Sequence, residues 1–213
     1  MKKALKLLTV ALFAWALIVI MPGSAWADLI QNGSFETGPN PGYFLRLLGG
    51  STAITGWTVI GTDIDYIGTC WPASDGSRSM DLSGRYAGGI EQNLSTIAGK
   101  TYLIEFDMAG NPAGLPTVKT LQVSAGSASQ TFTFDTSGLT WPEARTNMGW
   151  TTMQWSFVAD SATTTLTFMT KDNDYGPALD NVRVNPIPAP GAILLGSIGI
   201  TFSGWLLRRR RIT

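Results

Sequence analysis

The chain has 213 residues, and its 15 basic and 15 acidic residues give a formal charge of zero. It contains no histidine and one cysteine, which excludes Ser-His-Asp and Cys-His catalytic sets, a His-ligated zinc site and any disulfide within the chain. All the acidic residues but only eight basic ones lie between residues 28 and 185, so that this body carries a charge of −7. An acidic body excludes nucleic acid as a partner and favours calcium.

The first 27 residues predict a secretory signal peptide. Lys2, Lys3 and Lys6 precede an apolar run, and Ala25-Trp26-Ala27 provides a cleavage site of small residues, with the cut expected after Ala27. The chain would then cross the inner membrane through the Sec translocon and be cut by signal peptidase. A retained transmembrane anchor is the alternative reading of the same run.

The body, residues 28–185, has the length of one domain and the pattern of strands. In Thr101–Met108 the apolar side chains alternate with polar ones, the period of a half-buried strand. We predict ten strands separated by Gly, Pro, Asn and Asp turns, and hence an all-β fold, an antiparallel sandwich or jelly roll without helices. The predicted strands are Leu29–Glu36, Ile54–Ile60, Ser77–Leu82, Gly89–Leu94, Thr101–Met108, Val118–Ala125, Gln130–Phe134, Thr151–Val158, Thr163–Thr170 and Leu179–Val184.

Acidic and aromatic residues cluster in the first half of the body. Asp63, Asp65, Asp75 and Asp81 surround aromatic and basic side chains. A ring can cover the apolar face of a sugar while ionic groups bind its hydroxyls, so that this set predicts a glycan site. The alternative is that the aspartates only form turns and that the tryptophans fill the ends of the sandwich. The predicted glycan-binding residues are Asp65, Tyr66, Trp71, Arg78 and Trp141.

Five segments together resemble the choice-of-anchor C family of bacterial exported proteins. They are Asn32–Glu36, Asp75–Gly84, Gly88–Leu94, Ala98–Tyr102 and Tyr175–Val182. The resemblance implies a galactose-binding-like jelly roll. It also implies a structural Ca²⁺ between the first and last strands, because the family's acidic positions fall on Glu36 and Asp180, and a backbone carbonyl of Asn32 would add a ligand. The alternative is that both carboxylates only accept hydrogen bonds from the backbone.

The last segment, residues 186–213, contains prolines, an uncharged run from Gly191 to Leu207 and four arginines. About 17 residues at ~1.5 Å each reach roughly 25 Å, which predicts a short transmembrane helix with a cytoplasmic Arg end. A buried C-terminal helix is the alternative. The segment resembles the PEP-CTERM sorting signal, with Ala189 where that family has glutamate. The signal would comprise Pro188, Ala189, Pro190, Arg208, Arg209, Arg210 and Arg211.

The sequence therefore predicts an exported surface or matrix protein that binds extracellular polysaccharide or cell-surface glycan and is not an enzyme. The resemblance of the tail implies processing by an exosortase and release to the cell surface or matrix, with membrane anchoring by the tail helix as the alternative. Two other functions stay open: a structural protein with protein partners and no glycan ligand, and a hydrolase that acts on glycans through two carboxylates.

Overall fold

The computed structural model describes residues 28–188, which fold into eleven strands and one short helix. Every strand pair is antiparallel. The elements are β1 Phe44–Leu48, β2 Thr58–Gly61, β3 Asp63–Ile67, β4 Ser79–Asp81, β5 Gly88–Ser95, β6 Thr101–Gly110, β7 Val118–Ala125, β8 Ala128–Asp135, α1 Trp141–Ala144, β9 Thr151–Val158, β10 Thr163–Thr170 and β11 Pro177–Pro186.

The strands form two sheets that pack face to face. One has six strands in the order β1-β3-β4-β11-β6-β9, and the other has five in the order β2-β5-β10-β7-β8. Alternate residues of each strand point into the space between the sheets, as Tyr102, Ile104, Phe106 and Met108 of β6 do. The all-β antiparallel sandwich predicted from the sequence is confirmed, while its finer classification as galactose-binding-like stays a prediction.

The strand predictions succeed best in the second half of the domain. Strands β7, β9 and β10 coincide with the predicted Val118–Ala125, Thr151–Val158 and Thr163–Thr170. The predicted strand Leu29–Glu36 is wrong: this segment contains bends and a turn and no strand, and Asn32 and Phe35 have φ angles of 58° and 60°, far from the regular β region.

Three further features of the described residues differ from prediction. Strands β1 and β3 were not predicted, and the strand expected at Ile54–Ile60 begins only at Thr58. The expectation of no helix was wrong at α1, where Pro142 occupies the first turn and Glu143 accepts a 2.8 Å hydrogen bond from the Thr140 amide.

A second hydrophobic cluster, the second core, lies outside the sandwich. It covers the outer face of the six-stranded sheet, the face that points away from the main core, over β6 and β11. Small residues there, Ala109 and Ala178, leave room for Trp71 of the β3–β4 loop. Its buried members are Ile67, Cys70, Trp71, Ala109, Ala144, Met148 and Ala178, and Trp141 and Trp150 pack against them.

The predictions of export and membrane anchoring rest on the two ends of the sequence. Among residues 28–188, no helix is both long and apolar enough to cross a membrane. The predicted signal peptide and most of the predicted sorting signal, from Ala189 onward, lie outside the described residues.

Candidate functional site

A cavity of about 260 Å³ lies on the outer face of the six-stranded sheet, above β1, β3 and β4. The floor carries polar groups: Arg46 of β1, Asp65 of β3 and Asp81 of β4. The surrounding walls are rich in aromatic side chains, namely Tyr43, Phe44, Trp71, Trp141 and Tyr175.

Two aspartates stand side by side on the floor, and we call them the open pair. Asp65 and Asp81 are directly opposite in the antiparallel register of β3 and β4. Both point to the outer face because their neighbours Ile64, Tyr66 and Met80 fill the main core. Like charges placed opposite each other in a sheet are destabilising, so the pair requires compensation from its surroundings.

Arg46 compensates Asp65. Its Nε and Nη2 atoms donate to the two carboxylate oxygens of Asp65, both at 2.8 Å, the bidentate geometry that a guanidinium and a carboxylate favour. Burial raises the pKa of Asp65 above its usual value, and the hydrogen bonds from Arg46 oppose that shift. Asp65 is thereby fixed in orientation at the cavity floor.

Asp81 is held by neutral donors. Its Oδ1 accepts from the backbone amides of Ser83 at 2.9 Å and Gly176 at 3.0 Å, and its Oδ2 accepts from Asn111 Nδ2 at 2.9 Å. Burial raises the pKa of Asp81 to about 7, and the charge of Asp65 adds to the shift. Near neutral pH this carboxyl therefore exchanges between two protonation states.

The open pair keeps hydrogen-bonding capacity toward the cavity. An ionised carboxylate offers about four lone-pair positions. Asp65 accepts two hydrogen bonds and Asp81 accepts three, so that about two positions on Asp65 remain and, when Asp81 is ionised, about one on Asp81. Arg46 and Asn111 add N–H donors that the pair does not use. The floor can thus both accept and donate hydrogen bonds to a ligand.

Three aromatic side chains at the cavity are exposed to solvent. Tyr43 is 43% exposed, Phe44 is 44% exposed and Tyr175 is 39% exposed. The guanidinium carbon of Arg145 lies 5.8 Å from the Tyr43 ring centroid and orients that ring. These side chains provide the ring faces that Trp71 cannot, since only 3% of Trp71 is exposed.

The second core fixes the wall nearest to β11. Trp71 and Trp141 pack edge to face with their centroids 6.2 Å apart, and Trp71 Nε1 donates to Ser79 Oγ at 3.0 Å. Trp150 Nε1 donates to the Pro72 carbonyl at 3.0 Å. The β3–β4 loop is therefore tied to the sheet and to the segment that contains α1, which makes the wall rigid.

A second pair of aspartates lies on the same outer face, and we call it the closed pair. Asp107 of β6 and Asp180 of β11 are also directly opposite in register. The β3–β4 loop covers them: the amides of Ser74 and Asp75 donate to Asp180 at 2.7 and 2.9 Å, and the Ser74 hydroxyl donates to Asp107.

The two members of the closed pair have pKa values that shift in opposite directions, whereas both pKa values of the open pair are raised. Burial raises the pKa of Asp180 to about 7. Burial also acts to raise the pKa of Asp107, but hydrogen bonds from Ser74, Thr152 and Asn181 outweigh it and lower that pKa. Neither Asp107 nor Asp180 lines the cavity above β1, β3 and β4.

A family model described as "Protein of unknown function (DUF642)" matches residues 28–185. The chain belongs to the DUF642 family. It is also 35% identical over 186 residues to Halomucin from Haloquadratum walsbyi, a match that covers 79% of this chain and 2% of that protein. The chain therefore spans about 2% of the length of the curated relative that it matches.

Solved carbohydrate-binding domains resemble the DUF642 sandwich at low identity. The CBM22-1 xylan-binding domain from Paenibacillus barcinonensis has a TM-score of 0.46 and 15% identity, covering 72% of this chain and 97% of that one. A family 35 carbohydrate binding module from Clostridium thermocellum has a TM-score of 0.45 and 13% identity, covering 66% and 97%. At these values the similarity says nothing about a ligand of the DUF642 domain.

Of the five predicted glycan-binding residues, the structure brings three to the cavity and places two elsewhere. Asp65, Trp71 and Trp141 line the cavity. The prediction for Tyr66 is wrong, because its ring lies in the main core and its hydroxyl donates to the Phe35 carbonyl. Arg78 does not line this cavity, and its Nη1 donates to the Tyr66 hydroxyl at 2.9 Å and to the Gly38 carbonyl at 3.1 Å, so that its contact with a glycan stays a prediction.

Several residues of the cavity were not predicted. Phe44 and Arg46 belong to β1, and Tyr43 directly precedes this strand. The signal that could have identified β1 is the alternation of Phe44, Arg46 and Leu48 with Leu45 and Leu47. Asn111 and Tyr175 lie in loops that reach the site only through the pairing of β6 and β11. No local pattern identifies them.

The residues predicted to hold calcium are engaged with protein donors. Glu36 Oε1 accepts from the amides of Ser77 and Arg78 at 2.7 and 2.8 Å, and Glu36 Oε2 accepts from the Ser77 hydroxyl. Asp180 likewise accepts amides of the same loop. A cation here would face N–H groups where it requires oxygen ligands, so that this donor set does not fit calcium.

Asn32 and the rest of the described acidic residues agree with that result. The Asn32 carbonyl accepts from Trp57 Nε1 at 3.0 Å, and its side-chain amide donates to the carbonyls of Thr37 and Thr55. Within residues 28–188, no group of three or more Asp, Glu, Cys or His side chains is arranged to hold a metal ion. Glu36, Asp180 and Asn32 act as structural links between loops.

Proposed function

We propose that this DUF642 protein is an exported, non-catalytic surface or matrix protein whose cavity binds a saccharide of an extracellular polysaccharide or cell-surface glycan. The observation that carries the proposal is the open pair: two fixed carboxylates with remaining acceptor positions at the floor of an aromatic-walled cavity. It supports a glycan ligand because sugars present several hydroxyls close together beside an apolar ring face.

The hydrogen-bonding groups of the floor match a pair of adjacent sugar hydroxyls. Each hydroxyl donates one hydrogen bond and accepts others. Asp65 and Asp81 accept hydrogen bonds from the sugar, while Arg46 and Asn111 donate hydrogen bonds to it. Two adjacent hydroxyls above Asp65 would therefore find both acceptors and donors. These protein groups are oriented before the ligand arrives, which reduces the entropy lost on binding.

The walls supply the apolar contacts. Phe44, which is 44% exposed, and Tyr175, which is 39% exposed, line the cavity with aromatic rings. A ring against the C–H face of a pyranose excludes water from the hydrogen bonds at the floor, which strengthens them. The combination of a polar floor and apolar walls is that of a small-molecule site.

The same geometry supports binding over hydrolysis. A glycosidase needs one carboxyl that donates a proton and a second that attacks or activates water. Asp65 and Asp81 stand side by side on one floor, directly opposite in register, whereas the two carboxyls of a glycosidase flank the bond that is cut. We therefore expect no release of reducing sugar from any glycan that binds.

The export and sorting parts of the proposal are supported by the sequence of the two ends. Secretion would follow the predicted cleavage after Ala27, and the tail with Pro188, Ala189 and Pro190 would direct processing by an exosortase at the inner membrane. Mass spectrometry of the mature protein tests both: a chain that begins at Asp28 and ends near Pro190 supports the proposal. A mass that retains residues 191–213 contradicts cleavage of the tail.

A structural protein without a glycan ligand is the second candidate. The observation that favours it is the burial of Trp57 and Trp71, which removes two tryptophans as ring platforms. In that case the domain would act as a spacer between protein partners, and the cavity would bind no saccharide.

Titration calorimetry of the full chain distinguishes the two. The ligands are methyl glycosides of glucose, galactose, mannose and xylose and their β-1,4-linked oligomers. The proposal predicts binding of at least one of them, weakened by Asp65→Asn and unaffected by Asp160→Asn, a matched change at an exposed aspartate. Absence of heat with the whole panel would favour the structural candidate.

A further inference from the structure

We infer that the cavity takes a single saccharide residue at the end of a glycan chain, and that it does not bind a chain along its length. The inference rests on the proposed function and concerns the same cavity. It follows from the size of the cavity and from what occupies the rest of the outer face.

The volume limits the ligand to one ring. About 260 Å³ corresponds to roughly nine water molecules at ~30 Å³ each, and it lies below the roughly 300 to 1,000 Å³ of sites for drug-sized ligands. One pyranose residue with its hydroxyls has twelve heavy atoms and fills this space. A disaccharide, with nearly twice the atoms, does not fit into it.

The second core closes the path across the sheet. A chain that lay over β1, β3 and β4 would have to continue over β11 and β6, the next strands in order. There Trp71 and Met148 are buried against Ala109 and Ala178, so that side chains occupy the place where the next saccharide residues would lie. On this side, therefore, a glycan chain cannot continue beyond the cavity.

Loops close a second side of the cavity. Asn111 and the amides of Ser83 and Gly176 bind Asp81, and the ring of Tyr175 packs so tightly on Gly114 that a Cβ at that glycine would lie 2.2 Å from the Tyr175 ring. The loop between β6 and β7 and the loop between β10 and β11 thus lock together beside the floor. A groove that continued past this point would require both loops to move.

The experiment compares stoichiometry across chain lengths. The sugar that binds in the calorimetric panel is supplied as its methyl glycoside and as β-1,4-linked oligomers of two, four and six residues, at equal molar concentration. We expect one site per oligomer at every length, and affinities that differ by less than about tenfold, or about 1.4 kcal/mol. Asp65→Asn should weaken all of them equally, with Asp160→Asn as the control.

Two results would overturn the inference, and they are distinguishable. Sites per oligomer that increase with length, or affinity that rises more than about tenfold from two to six residues, would show a groove and leave the proposed function intact. Absence of binding by every member of the series would overturn both the proposed function and the inference.

Discussion

The open pair and the closed pair are alike in their cross-strand register and differ in what covers them. Each consists of two aspartates opposite each other on neighbouring strands, and each contains one member whose pKa is raised to about 7 by burial. The β3–β4 loop seals Asp107 and Asp180 with its own amides and hydroxyl. Asp65 and Asp81 lie at a cavity.

On this one face of the sheet, we expect stability and binding to depend on different pairs of aspartates. Donors from the covering loop satisfy the closed pair, so that these aspartates hold the loop, and with it the wall of Trp71, on the sheet. The open pair relies on Arg46 and on a few amides, and it retains capacity that a ligand can use. We therefore expect the aspartates to serve two purposes, stability in the closed pair and binding in the open pair.

The largest effect is expected from Asp180→Ala. Asp180 is fully buried and accepts hydrogen bonds from the amides of Ser74, Asp75 and Asn181. Its removal leaves three donors without an acceptor. Each unpaired donor costs about 1 to 3 kcal/mol of stability, and structural relaxation offsets part of that cost. We expect a loss of about 3 kcal/mol in the free energy of unfolding, measured by urea denaturation. Asp160→Ala is the matched control, and equal stability of the two variants would contradict the role of the closed pair.

The pH dependence of stability comes next. The folded-state pKa values of Asp81 and Asp180 are raised from 3.8 to about 7, so that their protonated forms stabilise the fold below the unfolded pKa, and this contribution is lost as pH rises through about 7. We expect the free energy of unfolding to fall between pH 5 and pH 8, by on the order of 2 kcal/mol for each residue.

Asp81→Asn tests the source of that dependence. Asparagine resembles the neutral acid in shape and does not ionise, so that the fall in stability between pH 5 and pH 8 should be smaller by the share of Asp81. Urea denaturation of both proteins across this range measures it. A slope identical to that of the unchanged protein would assign the pH dependence to other groups.

The open pair should control affinity more than stability. Asp65→Asn removes the charge that Arg46 binds and the acceptor positions at the floor, and a hydrogen bond to a charged group contributes about 1.5 to 3 kcal/mol. We expect affinity for the bound saccharide to fall about thirtyfold, as measured by calorimetry. The closed-pair variant Asp107→Asn should bind the saccharide as the unchanged protein does. Weaker binding by this variant would contradict the distinction between the two pairs.

A smaller effect is expected at the aromatic wall. Tyr175→Ala removes a ring that is 39% exposed at the cavity, while Tyr86→Ala removes one that is 54% exposed elsewhere. We expect the first change to weaken saccharide binding about fivefold, or about 1 kcal/mol, and the second to have no effect. Equal effects would show that the ligand does not contact the cavity wall.

No effect is expected from a chelator. Glu36 and Asp180 are satisfied by amides of the β3–β4 loop, and a protein that holds no metal gains no stability from one. The melting temperature in excess EDTA should equal that in buffer. A lower melting temperature in the chelator would contradict this expectation and support the calcium site that the family resemblance implies.

The sequence predicted the fold where the alternation was regular and failed where loops determine the structure. Strands β7, β9 and β10 expose one wet face, and their period is visible. Strand β3, by contrast, offers only a short alternation, Asp63 and Asp65 against Ile64 and Tyr66, and all five of its residues are buried, so that no wet face marks it. Missing this strand led to the error at Tyr66, which must face opposite to Asp65 once the segment is a strand.

The candidate site was predictable only in part, for a similar reason. Asp65, Trp71 and Trp141 have the residue types of a glycan site, and the sequence identified them. That Asp65 lies opposite Asp81 depends on the register of β3 and β4, and that Asn111 reaches Asp81 depends on the pairing of distant strands. Such contacts between residues far apart in sequence cannot be derived from local spacing.

The most direct test of the account follows amide chemical shifts by NMR during a titration with the saccharide that binds. The amides of Ser83 and Gly176 donate to Asp81, and those of Ser74 and Asp75 donate to Asp180, so that the four signals report on the two pairs separately. If the ligand binds at the open pair, the signals of Ser83 and Gly176 shift with saturation while those of Ser74 and Asp75 do not. Shifts confined to Ser74 and Asp75, or to residues away from both pairs, would contradict the assignment of the ligand to the open pair.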